Sequence, residues 1–178
     1  DTLVVITSDH GETLHDHACW YDHHGIYDNT LHIPLAFVWP GKVPSGAMFS
    51  DIVQQKDTTP TILDLMGVKT GINYDGRSLS PYFRGEFREP ESEFYITEAT
   101  WMRKHGWRTP EWKYMHALEP DFHFKPEIEL YNLLKDPEEN NNVAKQEPEV
   151  VKFLEARMQA HIAKREKETG RTNPMYTN

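Results

Sequence analysis

Six of the ten histidines in the chain lie between His10 and His32, a density that packing alone does not explain. The first of them belongs to the segment SDHG at residues 8–11, which follows an apolar, largely β-branched run at residues 3–6. Such a run is typical of a parallel strand covered by helices on both faces. Ligands of open α/β sheets bind beyond the carboxyl ends of the strands, so Asp9 and His10 are candidates for metal coordination.

A second interpretation of residues 8–11 is purely structural. Asp-His-Gly after a strand is also compatible with a turn that Asp9 caps and in which Gly11 allows the backbone to bend sharply. The tripeptide alone does not decide between the two.

Length and composition limit the classes of function. The chain has 178 residues, of which 38% are hydrophobic, enough for the core of one or two modest domains. Its formal net charge of -9 argues against a general nucleic-acid surface. An anionic substrate would therefore have to be attracted by a local metal and imidazole field. No apolar run approaches the length of a membrane span, and a single cysteine, Cys19, excludes an internal disulfide.

Periodicity and turn signals predict the elements that would position these residues. Strands are expected at residues 35–39, 52–53, 94–97, 113–118 and 130–131. A helix is predicted at residues 61–66 after the capping residue Asp57, and an amphipathic helix is predicted from Pro148 to Gly170. Residues 171–178 are expected to form a loose tail.

The histidine-rich stretch resembles a motif of the sulfatase family, within the alkaline phosphatase superfamily. The chain reads TSDHGE at residues 7–12 and HHGIYDNTLHIPL at residues 23–35, in the order and at the spacing familiar from that family. WKY at residues 112–114 and ELYNLLKDPEENNNVA at residues 129–144 resemble the family's C-terminal signature. The resemblance covers essentially the whole chain but only the C-terminal part of a sulfatase.

This resemblance implies an α/β fold in two parts. Residues 1–88 would form the C-terminal part of an alkaline-phosphatase-like αβα sandwich. After a polar, acidic linker at residues 89–93, residues 89–178 would form a small α+β subdomain with an antiparallel sheet and a terminal helix.

The resemblance also implies one divalent metal ion, with Asp9 and His10 as ligands alongside two Asp residues of an upstream strand. Calcium is the metal expected from the family. His10 occupies the position of Asn in many calcium sulfatases, and a nitrogen ligand suits manganese or zinc better, so the three metals stay open.

Three further histidines are candidate substrate contacts by the same resemblance. His23 stands four residues before Tyr27, where many sulfatases carry a Lys that touches the sulfate and the leaving-group oxygen. A protonated imidazole there can act as a general acid, so His23 is the catalytic candidate. His24 is adjacent, and a shift of one position would give it this role. His17 matches the His of the family's Gly-(Asp or Glu)-His-Gly, although Ala18 replaces the second Gly.

The activity implied is metal-dependent hydrolysis of a small-molecule or carbohydrate sulfate ester. The nucleophile of the family is a formylglycine made from the Cys or Ser of Cys/Ser-x-Pro-x-Arg. Cys19 lies in ACWYD, which has neither the Pro nor the Arg, so the nucleophile would lie upstream. The chain alone is therefore expected to be inactive.

Two other functions stay open from the sequence. One is a phosphonate or phosphate ester hydrolase, or a phosphoethanolamine transferase, of the same superfamily, in which Asp-His-Gly is also common. The other is a sulfatase-like binding module without catalysis.

Overall fold

The computed structural model describes residues 1–86, 89 and 92–177, which form two compact units. One unit contains residues 1–7 and 34–92, and the other contains residues 8–33 and 93–177. The predicted boundary between residues 88 and 89 stays a prediction, because residues 87, 88, 90 and 91, including part of the predicted linker, lie outside the described residues. The strands are β1 (Val4–Thr7), β2 (Leu35–Val38), β3 (Phe94–Glu98), β4 (Lys104–Arg108), β5 (Trp112–Ala117) and β6 (Ile128–Asn132). The helices are α1 (Asp28–Leu31), α2 (Thr58–Leu65), α3 (Ser80–Phe83) and α4 (Pro148–Thr169).

In the first unit, β1 differs from the expected parallel strand. It pairs antiparallel with β2, with Val4 opposite Val38 and Thr7 opposite Leu35. Val4 and Ile6 are 45% and 55% exposed, so β1 is not covered on both faces within this unit. The physical reason is that an apolar run predicts an extended segment but carries no information on the direction of its partner.

Helix α2 begins three residues before its predicted start. The Asp57 carboxylate accepts hydrogen bonds from the backbone N–H groups of Gln54 and Arg77, both at 2.9 Å. The buried Thr61 hydroxyl donates to the Asp57 carbonyl at 2.6 Å and accepts from the Leu79 N–H at 2.8 Å. These bonds tie the start of α2 to the segment around residues 77–79. No strand forms at residues 52–53, contrary to the prediction.

The second unit is built on a four-stranded antiparallel sheet in the order β3-β4-β5-β6, with α4 packed against it. The predicted antiparallel sheet and terminal helix are therefore confirmed. Leu154, Met158 and Ile162 recur at helical spacing and bury the inner face of α4 against Trp107 and Tyr114 of the sheet. No helix among the described residues is long and apolar enough to cross a membrane.

Two features of this unit differ from expectation. The sequence pattern does not predict β4, because this strand carries Lys104 and His105, which are 1% and 0% exposed. The predicted loose tail is wrong for residues 173–175, because Met175 is 5% exposed and its backbone N–H donates to the Asn173 side chain at 3.0 Å. The backbone N–H of Asn173 in turn donates to Glu166 on α4 at 2.7 Å.

Candidate active site

The segment that carries Asp9 and His10 is fixed by a close approach of two backbone stretches. The Gly11 N–H donates to the Thr30 carbonyl at 2.8 Å, and a Cβ at position 11 would lie 2.0 Å from the Asn29 carbonyl oxygen. Gly11 does not have a left-handed φ. Position 11 therefore requires glycine because a larger side chain would overlap the Asn29 carbonyl oxygen, and not because the backbone bends sharply there, as the sequence suggested.

Asp9 and His10 present their polar atoms together. The His10 Nδ1 lies 2.7 Å from the Gly11 carbonyl oxygen, which can only accept, so Nδ1 donates and Nε2 carries the lone pair. That Nε2 lies 3.7 Å from Asp9 Oδ2. The His10 backbone N–H donates to Asp9 Oδ1 at 3.0 Å, and this bond lowers the pKa of Asp9. Asp9 is thus held as a carboxylate beside an imidazole whose available nitrogen suits metal coordination.

His23 lies next to His10. The two rings stack with centroids 4.3 Å apart and planes at 22°. His10, Glu12 and His23 each offer one ligand atom, and these three atoms lie within 4.8 Å of one another. Sequence reasoning did not select Glu12; the available signal was an acidic residue two positions after a candidate metal ligand. The His23 backbone N–H donates to Asp22 Oδ1 at 2.8 Å, which helps to position the loop.

His24 lies in a buried position between two carboxylates. Its Nε2 is 3.1 Å from Asp22 Oδ2 and its Nδ1 is 3.4 Å from Glu98 Oε1, and its side chain is 2% exposed. Glu98 also accepts from the Gly25 N–H at 2.6 Å, and burial raises the pKa of Glu98. Of the two neighbouring histidines, His23 is therefore the exposed one, with 44% of its side chain accessible.

His17 does not belong to the group of ligand atoms formed by His10, Glu12 and His23. Its ring stacks on Tyr27 with centroids 3.7 Å apart and planes at 6°. His17 has a left-handed φ of 57°, and burial lowers the pKa of its imidazole. It therefore packs against the base of the loop that carries His23.

That loop is anchored through Tyr27 to a buried polar cluster in the sheet. The Tyr27 hydroxyl donates to Glu129 at 2.7 Å, and the Tyr131 hydroxyl donates to the same carboxylate at 2.6 Å. Lys104 Nζ lies 2.9 Å from Glu129 and 2.5 Å from Asp121, so the buried carboxylates face a buried cation. The Glu129 of the C-terminal signature thus holds the Tyr27 of the histidine-rich stretch.

Asp28 forms a second anchor. It pairs with Lys113 and, at 3.0 Å, with Arg108. Burial opposes ionisation of Asp28, but the two cations outweigh burial and lower its pKa to about 2. Glu139 accepts from the Asp28 N–H at 2.6 Å and pairs with Lys113 at 2.7 Å. Asp28 of the histidine-rich stretch and Glu139 of the C-terminal signature are therefore in contact within one folded unit.

The donor set at Asp9 and His10 fits a divalent cation. Two ligands of one cation, each about 2.0 to 2.5 Å from it, lie roughly 3 to 4 Å apart, and the 3.7 Å between Asp9 Oδ2 and His10 Nε2 falls in this range. A carboxylate oxygen combined with an imidazole nitrogen suits manganese and zinc, while calcium prefers oxygen ligands.

Comparisons with known proteins show what the whole chain is similar to. The protein family described as N-sulphoglucosamine sulphohydrolase, C-terminal, matches residues 16–168. A Δ4,5-hexuronate-2-O-sulfatase of Bacteroides thetaiotaomicron is 31% identical over 164 residues, which cover 86% of this chain and 32% of that protein. The solved structure of a 2-O GAG sulfatase is similar with a TM-score of 0.75 at 27% identity, covering 97% of this chain and 39% of that chain. A phosphonate monoester hydrolase of Agrobacterium radiobacter gives a TM-score of 0.71 at 26% identity, covering 92% and 35%.

These similarities show that the chain has the fold of the alkaline-phosphatase-like hydrolases. The chain belongs to the sulfatase family, and it matches the C-terminal region of its members. It spans about a third of the length of the curated relatives it matches. Metal dependence is general in this family.

Proposed function

We propose that residues 8–24 form the C-terminal part of the active site of a metal-dependent sulfuric ester hydrolase. The observation that carries this proposal is the exposed His23 ring stacked 4.3 Å from His10, which itself stands beside Asp9. A metal-binding pair and a proton donor next to it are two of the three parts that hydrolysis of a sulfate monoester requires, the third being a nucleophile.

In this proposal each residue has one role. Asp9 and His10 hold the divalent cation, which supplies positive charge opposite the sulfate oxygens when bound. His23 donates a hydrogen bond to the sulfate ester and delivers a proton to the leaving alcohol oxygen. Asp22, whose Oδ1 lies 3.6 Å from His23 Nδ1, orients the imidazole. His24 fills the buried position behind it and acts through Asp22, which it contacts at 3.1 Å.

The nucleophile in this proposal comes from residues outside this chain. Cys19 does not fit the role, because its side chain is 1% exposed and burial raises its pKa to about 11. A thiol with this pKa is protonated at neutral pH and is a poor nucleophile. We therefore retain the formylglycine of the family as the attacking group of the complete enzyme.

For the substrate we propose a sulfated carbohydrate. The support is the relative named a Δ4,5-hexuronate-2-O-sulfatase and the structure named a 2-O GAG sulfatase, both of which cover most of this chain. The candidate metal is manganese, zinc or calcium, and the mixed donor set of Asp9 and His10 favours the first two.

A second candidate is hydrolysis of a phosphonate monoester. The observation that favours it is the similarity to the phosphonate monoester hydrolase, with a TM-score of 0.71. A tetrahedral, anionic ester group would meet the same cation and the same His23, so this geometry does not discriminate between sulfur and phosphorus.

The test is sulfate release by the complete enzyme that contains this chain. His23→Ala should lower kcat by about 10²-fold or more, the usual contribution of a general acid. His32→Ala, which removes an exposed histidine outside the group formed by His10, Glu12 and His23, serves as the control and should leave kcat unchanged. Equal activity of the His23→Ala enzyme and the control would overturn the assignment.

A further inference from the structure

A chain of polar side chains connects strand β3 to the proposed proton donor, His23. Glu98 is the last residue of β3, and its Oε1 lies 3.4 Å from His24 Nδ1. The other ring nitrogen of His24, Nε2, lies 3.1 Å from Asp22 Oδ2. Asp22 Oδ1 lies in turn 3.6 Å from His23 Nδ1. All four residues belong to one compact unit, so every contact of the chain lies within that unit.

The inner end of this chain is fixed by the four-stranded sheet. The backbone of Glu98 lies opposite that of Lys104 in the antiparallel register of β3 and β4. The side chains of Glu98 and His24 are 7% and 2% exposed, and Glu98 also accepts a hydrogen bond from the Gly25 N–H at 2.6 Å. His24 Nδ1 and Glu98 Oε1 have no hydrogen bond to any other described group, so each supplies the other's polar contact. Glu98 therefore holds both the ring of His24 and the backbone that follows it.

The outer end of the chain, Asp22, is held through its backbone and through its side chain. Its carbonyl oxygen accepts from the N–H of the buried Thr13 at 2.8 Å and from the Thr13 hydroxyl at 2.6 Å. Its carboxylate accepts from the His23 N–H at 2.8 Å through Oδ1 and faces His24 through Oδ2. A carboxylate beside Nδ1 of His23 favours a hydrogen on that nitrogen, which leaves Nε2 to deliver the proton.

Stability alone does not account for this arrangement. Burying a carboxylate costs free energy, and apolar side chains of similar volume are often at least as stabilising as a buried ion pair. A connected polar network instead fixes one arrangement of the side chains that it joins. The contacts of Glu98 lead to His23, and proton transfer requires that this imidazole be held in one orientation. They therefore indicate a role in orienting His23.

We propose that Glu98 is a positioning residue, which orients His23 for proton delivery and acts through His24 and Asp22. This inference rests on the proposed function and adds to it a residue of the distant strand β3. As the formylglycine oxygen of the complete enzyme bonds to sulfur, the bond from sulfur to the leaving oxygen breaks. Its electron pair passes to that oxygen, which takes the proton from His23 Nε2. Because Glu98 is buried behind His24, it affects this step and not the binding of sulfate.

The test compares two leaving groups, because a poor leaving group depends on the proton more than a good one does. In the complete enzyme, kcat/KM is measured for phenyl sulfate, the poorer leaving group, and for 4-nitrophenyl sulfate. Glu98→Gln should lower kcat/KM for phenyl sulfate by about 10-fold, a part of the general-acid contribution, and for 4-nitrophenyl sulfate by less than about 2-fold. The inhibition constant of inorganic sulfate should stay within about 2-fold. A purely structural role would lower kcat/KM for both esters by the same factor.

A double-mutant cycle tests the route through Asp22. Asp22→Asn should lower kcat/KM for phenyl sulfate at least as much as Glu98→Gln does. The double variant should lose no more than Asp22→Asn alone, because Glu98 acts through Asp22. If Glu98→Gln does not fold, His24→Gln interrupts the same chain and should show the same selective loss.

Glu93→Gln is the matched control. It makes the same chemical change next to the start of β3, where Glu93 contacts Trp107 and Arg157 and no residue of the chain to His23. It should leave kcat/KM unchanged for both esters. If the parent hydrolyses neither aryl sulfate, 2-sulfated Δ4,5-hexuronate, whose leaving group is an alcohol, replaces phenyl sulfate. Glu98→Gln should then lower kcat/KM by about 10-fold and leave the inhibition constant of sulfate unchanged.

Two sets of outcomes separate this inference from the proposed function. Equal losses for both esters in Glu98→Gln, a parent-like rate for the poorer leaving group, or additive losses in the double variant would overturn the role of Glu98. A parent that hydrolyses none of the three sulfate esters, or a His23→Ala enzyme as active as the parent, would instead overturn the proposed function.

Discussion

Replacing Lys113 by Met should destabilise the fold through the anchor of Asp28. The Lys113 side chain is 0% exposed and pairs with Asp28 and Glu139, whose side chains are 20% and 1% exposed. Methionine fills a similar volume but carries no charge. The variant therefore leaves two neighbouring carboxylates with Arg108 as the remaining cation, 3.0 Å from Asp28.

The expected loss of stability has two sources, the interactions of Lys113 with Asp28 and with Glu139. The pKa of Asp28 is lowered from 3.8 to about 2, which corresponds to about 2 kcal/mol of stability at neutral pH. This contribution is complete above pH 3.8 and is lost as the pH falls towards 2. Lys113 supplies only part of it, but its removal also leaves Glu139 buried without its cation. Breaking a buried ion pair on one side costs about 3 to 5 kcal/mol, and we expect Lys113→Met to fall in this range.

Urea denaturation followed by circular dichroism measures this loss, with Lys152→Met as the matched control. Lys152 is an exposed residue of α4, so the control should change the free energy of unfolding by less than about 0.5 kcal/mol. Burial raises the pKa of Glu139 above its ordinary value even beside Lys113, and without Lys113 this pKa rises further, so the folded variant takes up a proton at higher pH than the parent. The difference in the free energy of unfolding between the parent and Lys113→Met should therefore shrink as the pH falls from 7 to 5. A loss below about 1 kcal/mol at pH 7, or a deficit independent of pH, would refute the reasoning.

Three further variants test other parts of the structure. His105 is buried, and burial lowers its pKa from 6.5 to about 4. The stability that depends on neutral His105 should therefore be complete above pH 6.5, and the free energy of unfolding should fall by about 2 kcal/mol from pH 7 to 5. Thermal unfolding at several pH values measures this fall, which His105→Gln should largely remove. Gly11→Ala should cost about 1 to 3 kcal/mol in urea denaturation, because its Cβ would overlap the Asn29 carbonyl oxygen. Tyr27→Phe should cost about 1.5 to 3 kcal/mol in the same assay, because the buried Glu129 loses a hydrogen bond. A pH profile of His105→Gln equal to that of the parent would contradict the role of His105. A free energy of unfolding equal to that of the parent would contradict the contact of Gly11 or of Tyr27, whichever residue was replaced.

The sequence predicted the elements whose signals are local. Helix α4 begins at Pro148, and Gly170 ends it with a left-handed φ of 67°, as the sequence indicates. Strand β4 escaped prediction because its buried Lys104 is neutralised by Asp121 and Glu129, residues that follow much later in the chain. Burial of a charge depends on tertiary partners, which hydrophobic periodicity does not report.

In the candidate site, too, the local signals were predictive and the tertiary contacts were not. Residue type and motif were enough to select Asp9, His10 and His23 as candidates, and the roles of these residues stay proposals. Glu12 was not selected, because its closeness to His23 arises from a loop that returns on itself. His24 was not distinguished from His23, because its burial depends on Glu98 in β3. Neither effect is visible in local sequence.

The most direct test of the account measures metal content and sulfate-ester turnover on the same samples of the complete enzyme and its His10→Ala variant. Metal content is determined by mass spectrometry after gel filtration, and turnover is determined from sulfate release. If Asp9 and His10 bind the cation, the parent carries about one divalent ion per chain, and His10→Ala loses both the ion and the activity. A variant that loses the ion and keeps full turnover, or a parent that hydrolyses phosphonate monoesters but no sulfate ester, would contradict the account.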